Sequence, residues 1–271
     1  MNVYEESFAY YDEHVHFLRI FSKYERFSKL LYTPYSAKRT DGECPIFHVS
    51  ISKNFQQGTL NHVLELLRWV YEKLLYTDDA VDCPMFKTAL EVLEYAERYR
   101  KNVSCYAHAI VLTEILLYYG YWARTIHCLP MGTFPYDVHC VTIVFVNELQ
   151  KWVMLDPTFN IYICDEHDSP ISLPDMRSRI IEGKKVIPCS NNRFKSRKID
   201  KLIESYMKYM VKNLFCFYYV FNEGPQFVDS YLLYPMNYLP YDTPVEIKTY
   251  GKKRIHYIRD DDFFWETSTI K

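Results

Sequence analysis

The chain has 271 residues, 49% of them hydrophobic, eight cysteines and a formal net charge of −2, enough length for a sizeable core in one large or two small domains and no electrostatic footprint for nucleic acid. Its longest uninterrupted apolar run, Leu214 to Phe221, has eight residues, against the roughly 20 that a membrane helix requires. The acidic N-terminus (MNVYEESFAYYDEHVHF) lacks the apolar segment of a secretory leader, and the cysteines stand singly at 44, 83, 105, 128, 140, 164, 189 and 216, so the expectation is a cytoplasmic protein with free thiols.

In chain order, helical spacing runs over residues 4 to 31 and 59 to 76, where Leu60, Val63, Leu64, Leu67, Val70, Tyr71 and Leu74 form one apolar stripe. Residues 85 to 100 predict a third helix. Ser104 is a good N-cap for a fourth, expected to be amphipathic, which runs from Cys105 to a left-handed stop at Gly120. The period then changes to that of strands, over 121 to 129, 138 to 146 and 151 to 155, with Asn147-Glu148-Leu149-Gln150 as the turn between the last two. Further on, a short helix is expected from Leu173, an exposed polar loop over Ser190 to Lys198 and a helix over 201 to 214. A terminal hairpin is expected where 245 to 250 and 254 to 259 alternate around Gly251-Lys252-Lys253. Helices before strands predict an α+β class. No linker divides the chain, so residues 1–271 are expected as one domain: N-terminal helices over 1–100, a core over 102–160 and a C-terminal elaboration over 165–271.

Three side chains carry the chemistry. Cys105 falls in the first turn of its helix, where the positive end of the dipole favours thiolate over thiol and can help hold an oxyanion. His139 opens one strand and Asp156 closes the next, so an antiparallel hairpin places them side by side across 17 positions. A carboxylate can then orient the imidazole that takes the thiol proton. Each residue also has a plainer reading: buried cysteines are mostly structural, a strand-end histidine is usually just hydrogen-bonded, and Asp-Pro starts turns. His108, at i+3 from Cys105, is a rival base. Arg124 reads as structural, paired with a carboxylate near the site.

These residues sit in longer patterns: Cys-x-x-x-Ala at Cys105 and Ala109, Gly-x-x-Ala-Arg at Gly120, Ala123 and Arg124, His139 on its strand, and Trp-x-x-Leu-Asp-Pro-Thr from Trp152 through Leu155, Asp156, Pro157 and Thr158. In this order, residues 102 to 160 resemble the core of the transglutaminase-like superfamily, part of the broader papain-like cysteine fold. The resemblance implies Cys105 as nucleophile, His139 as general base and Asp156 as orienting acid, with an acyl-enzyme formed from an amide or ester; a peptide or protein substrate and no cofactor are expected. Val103 and Val141 stand where many members have glycine and an aromatic residue, so the walls of the site differ. The second oxyanion donor has no matching motif; Gln56 and Gln57 are candidates by residue type.

Hydrolysis is the favoured outcome, because water is the default acceptor and no residue specifies an amine site. The alternative from another class is an inactive binding or scaffolding module that kept the fold. A third chemistry, zinc bound by members of the set His127, Cys128, His139, Cys140, Cys164 and His167, lacks a second close pair in the usual register, and adjacent residues of a strand point to opposite faces. Twenty-six tyrosines and 17 phenylalanines against seven glycines predict either a core and surface rich in half-buried rings or a tyrosine-lined cleft.

Overall fold

A computed structural model of the chain describes residues 11–24, 56–77, 88–131, 138–191, 197–223, 228–236, 247–250, 252–259 and 261–265. Parts of several expectations lie outside these: residues 4–10 and 25–31 of the first helix, 85–87 of the third, 192–196 of the polar loop, 245, 246 and 251 of the terminal hairpin, and Cys44 and Cys83. The architecture is mixed α+β. Two compact units emerge, one formed by residues 38–126 and 139–207, the other by 1–37, 127–138 and 208–271.

The first unit carries helices α2 (Leu60–Lys73), α3 (Ala89–Tyr99) and α4 (Cys105–Tyr118). Each begins where a short hydroxyl residue can cap it: the side chains of Thr59, Thr88 and Ser104 accept from the backbone N–H of His62, Glu91 and Ala107. Gly120 ends α4 at φ +79°, a conformation open to glycine at no steric cost. The expectation of an amphipathic α4 is not met. Ala107 to Leu112, Ile115 and Leu116 are all buried, because α2 and α3 pack on one side of the helix and strand β2 on another. A helix covered this way has no wet face to alternate with.

The strands of this unit follow the order β5-β4-β3-β2-β1: β1 (Trp122–Leu129), β2 (His139–Val146), β3 (Lys151–Asp156), β4 (Ile161–Cys164) and β5 (Ile187–Ser190). β2 and β3 form the expected hairpin, paired from Val146 opposite Lys151 to Thr142 opposite Leu155. β4 and β5 had no sequence expectation, and β5 takes Ser190 from the stretch read as a loop. Both are short, and Pro188 is tolerated because β5 is the edge strand. Between them lies α5 (Leu173–Glu182), whose capping box joins Ser172 and Asp175. α6 (Arg197–Lys212) starts earlier than the spacing implied, inside the stretch read as a loop.

In the second unit, α1 (Tyr11–Ile20) ends well short of residue 31, and the carbonyl of Lys23 accepts from the N–H of Met236 at 2.9 Å. The end of β1 pairs with β6 (Cys216–Glu223), followed by β7 (Val228–Leu233), β9 (Lys253–Ile258) and β8 (Ile247–Tyr250). The apolar run from Leu214 thus becomes β6, a strand buried on both faces. β8 and β9 make the expected hairpin, but β9 also pairs parallel with β7, a non-local contact that alternation cannot reveal. A short helix, α7 (Asp261–Trp265), follows; Phe264 lies 4.9 Å from the Tyr219 ring and Trp265 5.1 Å from Phe217. Among the described residues no helix is long and apolar enough to cross a membrane.

Leu112 has no exposed surface while Ile20 is 57% exposed. Leu112→Ala should lower unfolding stability by about 3 kcal/mol through the cavity it leaves, and Ile20→Ala should change it by less than about 0.5 kcal/mol, both read from urea denaturation midpoints at constant m-value.

Candidate active site

The β2–β3 register decides which side chains meet. Continuing the pairing beyond Thr142 and Leu155 puts Asp156 opposite Val141, two residues from His139 and therefore on the same face of the sheet as His139. The two side chains meet there: His139 Nε2 lies 2.6 Å from Asp156 Oδ2, and neither residue has exposed surface. The other carboxylate oxygen, Oδ1, accepts from the backbone N–H of Thr158 at 3.0 Å, a local turn of the kind Asp favours before Pro157.

With Nε2 engaged by the carboxylate, Nδ1 is the ring nitrogen left for the Cys105 thiol, which interacts with His139. Cys105 is partly exposed. The three residues singled out in the sequence are therefore brought together as a relay from Asp156 through His139 to Cys105. A set of threonines fixes the helix to the sheet behind it. Thr142 on β2 donates to the carbonyl of Ala109 at 3.3 Å, and Thr113 Oγ1 lies 2.9 Å from Thr125 Oγ1 on β1 and 3.3 Å from that of Thr142.

Sequence reasoning missed one neighbour of the thiol. Cys140, adjacent to His139 and 2% exposed, acts on the Cys105 thiol through its side chain and its backbone, both favouring thiolate. Strand alternation argued against this, since His139 and Cys140 should face apart. Instead the thiol at the start of α4 is in contact with both residues at the start of β2.

The electrostatics follow from these contacts. The Cys105 thiol is held well below its ordinary range, first by the Cys140 side chain, against the opposing effect of burial, and then by the hydrogen bond and charge of His139. For His139 burial is the largest influence and pulls downward, but the charge and hydrogen bond of Asp156, reinforced by Cys105, push it up to about 10. Both shifts favour thiolate and imidazolium over the neutral pair.

His108, the rival base, is fully buried. Its Nδ1 sits 2.9 Å from the Ser104 carbonyl, the Leu74 carbonyl also contacts the ring, and burial holds its pKa down. It braces the helix start. Arg124 stacks over the Trp152 ring at 5.2 Å, a cation–π contact. Gln57 is ruled out as an oxyanion donor: its side-chain amide donates to the carbonyl of Tyr119, and Gln56 lies beside it on the chain with its carbonyl bound to Thr59. They sit at the far end of a 14-residue helix, about 20 Å from Cys105.

Rings wall the site. Phe159 lies over His139 at 5.7 Å and is itself met by Tyr76 at 5.9 Å and Tyr206 at 5.8 Å. Tyr76 is set in place by pairing with Val103, whose N–H donates to the Leu75 carbonyl at 2.7 Å and whose carbonyl accepts from Thr77 at 3.1 Å. Among the described residues no group of three or more His, Cys, Asp or Glu side chains is arranged to hold a metal ion. Comparison with known proteins returns no matching family model, curated protein or solved structure.

Iodoacetamide should modify Cys105 faster than any other cysteine near neutral pH, at a rate nearly flat from about pH 6 to 9, whereas a free thiol gains about tenfold per unit below its pKa of about 8.5. His139→Ala should restore the steep profile and erase the preference. Equal, pH-parallel labelling of all accessible cysteines would contradict the ion pair. Stability has the matching sign: the raised His139 pKa contributes fully below its unfolded value of 6.5 and is lost as pH rises through about 10, while the depressed Cys105 pKa contributes above the free-thiol range and is lost as pH falls through its folded value. Wild-type and His139→Ala urea midpoints compared between pH 5 and 10.5 should converge toward the alkaline end.

Proposed function

We propose that the protein is a thiol-dependent acyl-transfer enzyme with a papain/transglutaminase-like core, acting in the cytoplasm on an amide carbonyl of a peptide or protein, with water as the favoured acceptor. The observation that carries this reading is the relay of Asp156, His139 and a partly exposed Cys105, with thiolate favoured at its end. Buried partners confer orientation, and the one member that meets solvent is the one that must meet substrate.

The chemistry runs in two halves. The Cys105 sulfur attacks the carbonyl carbon, and the oxyanion formed faces the positive end of the α4 dipole. His139, already protonated, gives its Nδ1 proton to the leaving amine as the C–N bond breaks, leaving a thioester and neutral imidazole. Water then adds to the thioester, His139 takes its proton, and collapse releases the carboxylic acid and returns the thiolate–imidazolium pair. Asp156 stays on Nε2 throughout, holding the ring with Nδ1 toward sulfur and stabilising the imidazolium. A primary amine replacing water in the second half would give transfer instead.

A panel of glutamine-containing peptides, followed by ammonia release and by incorporation of an added primary amine, tests the reading. Ammonia release should exceed amine incorporation. Cys105→Ala should lower turnover by about 10³-fold or more, and Asp156→Asn by about 10²- to 10⁴-fold with little change in KM. Activity that survives Cys105→Ala would overturn the assignment.

A further inference from the structure

Between β3 and β4 the chain reverses over four residues, Pro157 to Asn160. This turn carries two groups that the site uses: the Thr158 N–H that binds Asp156 Oδ1, and the Phe159 ring beside His139. Its last residue, Asn160, has no exposed surface and sits at φ +56°, a left-handed conformation that asparagine tolerates better than most residues with a side chain. Asn191, the first residue after β5, grips it twice. The Asn191 backbone N–H donates to the Asn160 carbonyl at 2.9 Å, and its side-chain amide donates to Asn160 Oδ1 at 3.3 Å. The same amide nitrogen donates to the Leu64 carbonyl of α2 at 2.5 Å, so the turn is tied to a helix as well as to the sheet. The Asn160–Asn191 contacts have no part in the acyl-transfer scheme above.

We infer that Asn160 and Asn191 are positioning residues of the thiol site: their clamp fixes the 157–160 turn, and through it holds the Asp156 carboxylate and the Phe159 ring where they orient His139. Neither asparagine belongs to the relay, and Asn191 acts on it through Asn160. The inference rests on the relay of Asp156, His139 and Cys105 proposed above and is independent of which acyl group the enzyme takes.

Each link in this device has a physical reason. The Asp156 carboxylate has one oxygen on the imidazole and one on the Thr158 N–H. Held at the first oxygen alone, it is free to rotate, and the ring it should orient rotates with it. Thr158 reaches Oδ1 within a turn that must also bring Ile161 opposite Asp156, and the left-handed residue at position 160 closes that turn. Glycine at 160 would supply the conformation but not the oxygen that Asn191 binds. Alanine would supply neither. Asparagine supplies both, so the side chain and the backbone angle act together.

The test uses the full chain carrying Asn191→Ala, Asn160→Gly or Asn160→Ala, with Val92→Ala, at a buried position of α3, as the control for lost stability alone. Urea midpoints establish that each variant is folded and by how much it is weakened. Turnover of the glutamine-peptide panel should fall about tenfold in Asn191→Ala with KM changed less than about twofold. Asn160→Gly, which keeps the backbone angle, should lose less than Asn160→Ala. The rate of Cys105 alkylation by iodoacetamide, nearly flat from about pH 6 to 9 in the wild type, should steepen with pH in the same order and stay flat in Val92→Ala. Wild-type turnover and a flat profile in both alanine variants of the clamp would overturn the inference. So would changes that merely track the urea midpoints, as those of Val92→Ala do. If the wild type labels with a flat profile but turns over no peptide, the acyl-transfer reading falls and the alkylation series still decides the clamp. A steep wild-type profile defeats the relay and the clamp together.

Discussion

Burying a carboxylate is expensive unless its oxygens are hydrogen-bonded, and Asp156 has no exposed surface at all. Its two oxygens are engaged from two directions, Oδ2 by His139 and Oδ1 by the N–H of Thr158, and much of the site's geometry follows from meeting that requirement. The four-residue turn over 147–150 sets the β2–β3 register, with Gln150 held at φ +53° and its amide donating to the Asn147 carbonyl at 2.7 Å. The register places Asp156 diagonal to His139. The carboxylate captures Nε2, and Nδ1 is left for sulfur. A one-residue slip in the hairpin would turn Asp156 to the other face of the sheet, stranding a carboxylate without its imidazole and an imidazole without its orientation.

What could be read from the sequence is what local rules govern. Ser104 and Gly120 bracket α4 because capping and left-handed stops depend on one or two residues, and the hairpin followed from period and turn chemistry, which gave the diagonal contact between His139 and Asp156. The features not foreseen all depend on contacts between distant segments. The parallel pairing of β9 with β7 joins strands that are not consecutive in the chain, with β8 between them in sequence. The burial of α4 on several sides was hidden because an apolar helix reads as amphipathic until its neighbours are known. Gln57 was suitable by residue type and lies at the wrong end of the helix. Cys140 was set aside by strand alternation, a rule that assigns faces of a sheet but does not fix what a helix terminus abutting the strand's first residues can touch.

The aromatic excess divides between packing and site. Tyr209, Tyr218, Tyr219, Tyr231 and Tyr234 are buried in the second unit, where rings meet edge to face, as do Phe21 with Phe215 and Phe264 with Trp265. Tyrosine serves such a core because its hydroxyl can be satisfied within it, as Tyr218 does with Ser230 at 2.7 Å. A smaller group lies beside His139: Phe159 meets its ring, and Tyr76 and Tyr206 meet Phe159. A ring over the imidazole keeps water from its face, which strengthens the contacts to Asp156 and Cys105 by lowering the local dielectric. Packed rings are therefore found both in the second unit and beside His139.

The number of donors around the Cys105 sulfur bears on what the site is built to do. Nucleophilicity falls as thiol pKa falls, with a Brønsted coefficient of about 0.4–0.5, and attack is fastest when the pKa lies near ambient pH. The Cys140 side chain comes before His139 among the influences that favour the Cys105 thiolate, so each added donor enlarges the thiolate population while making each thiolate less nucleophilic.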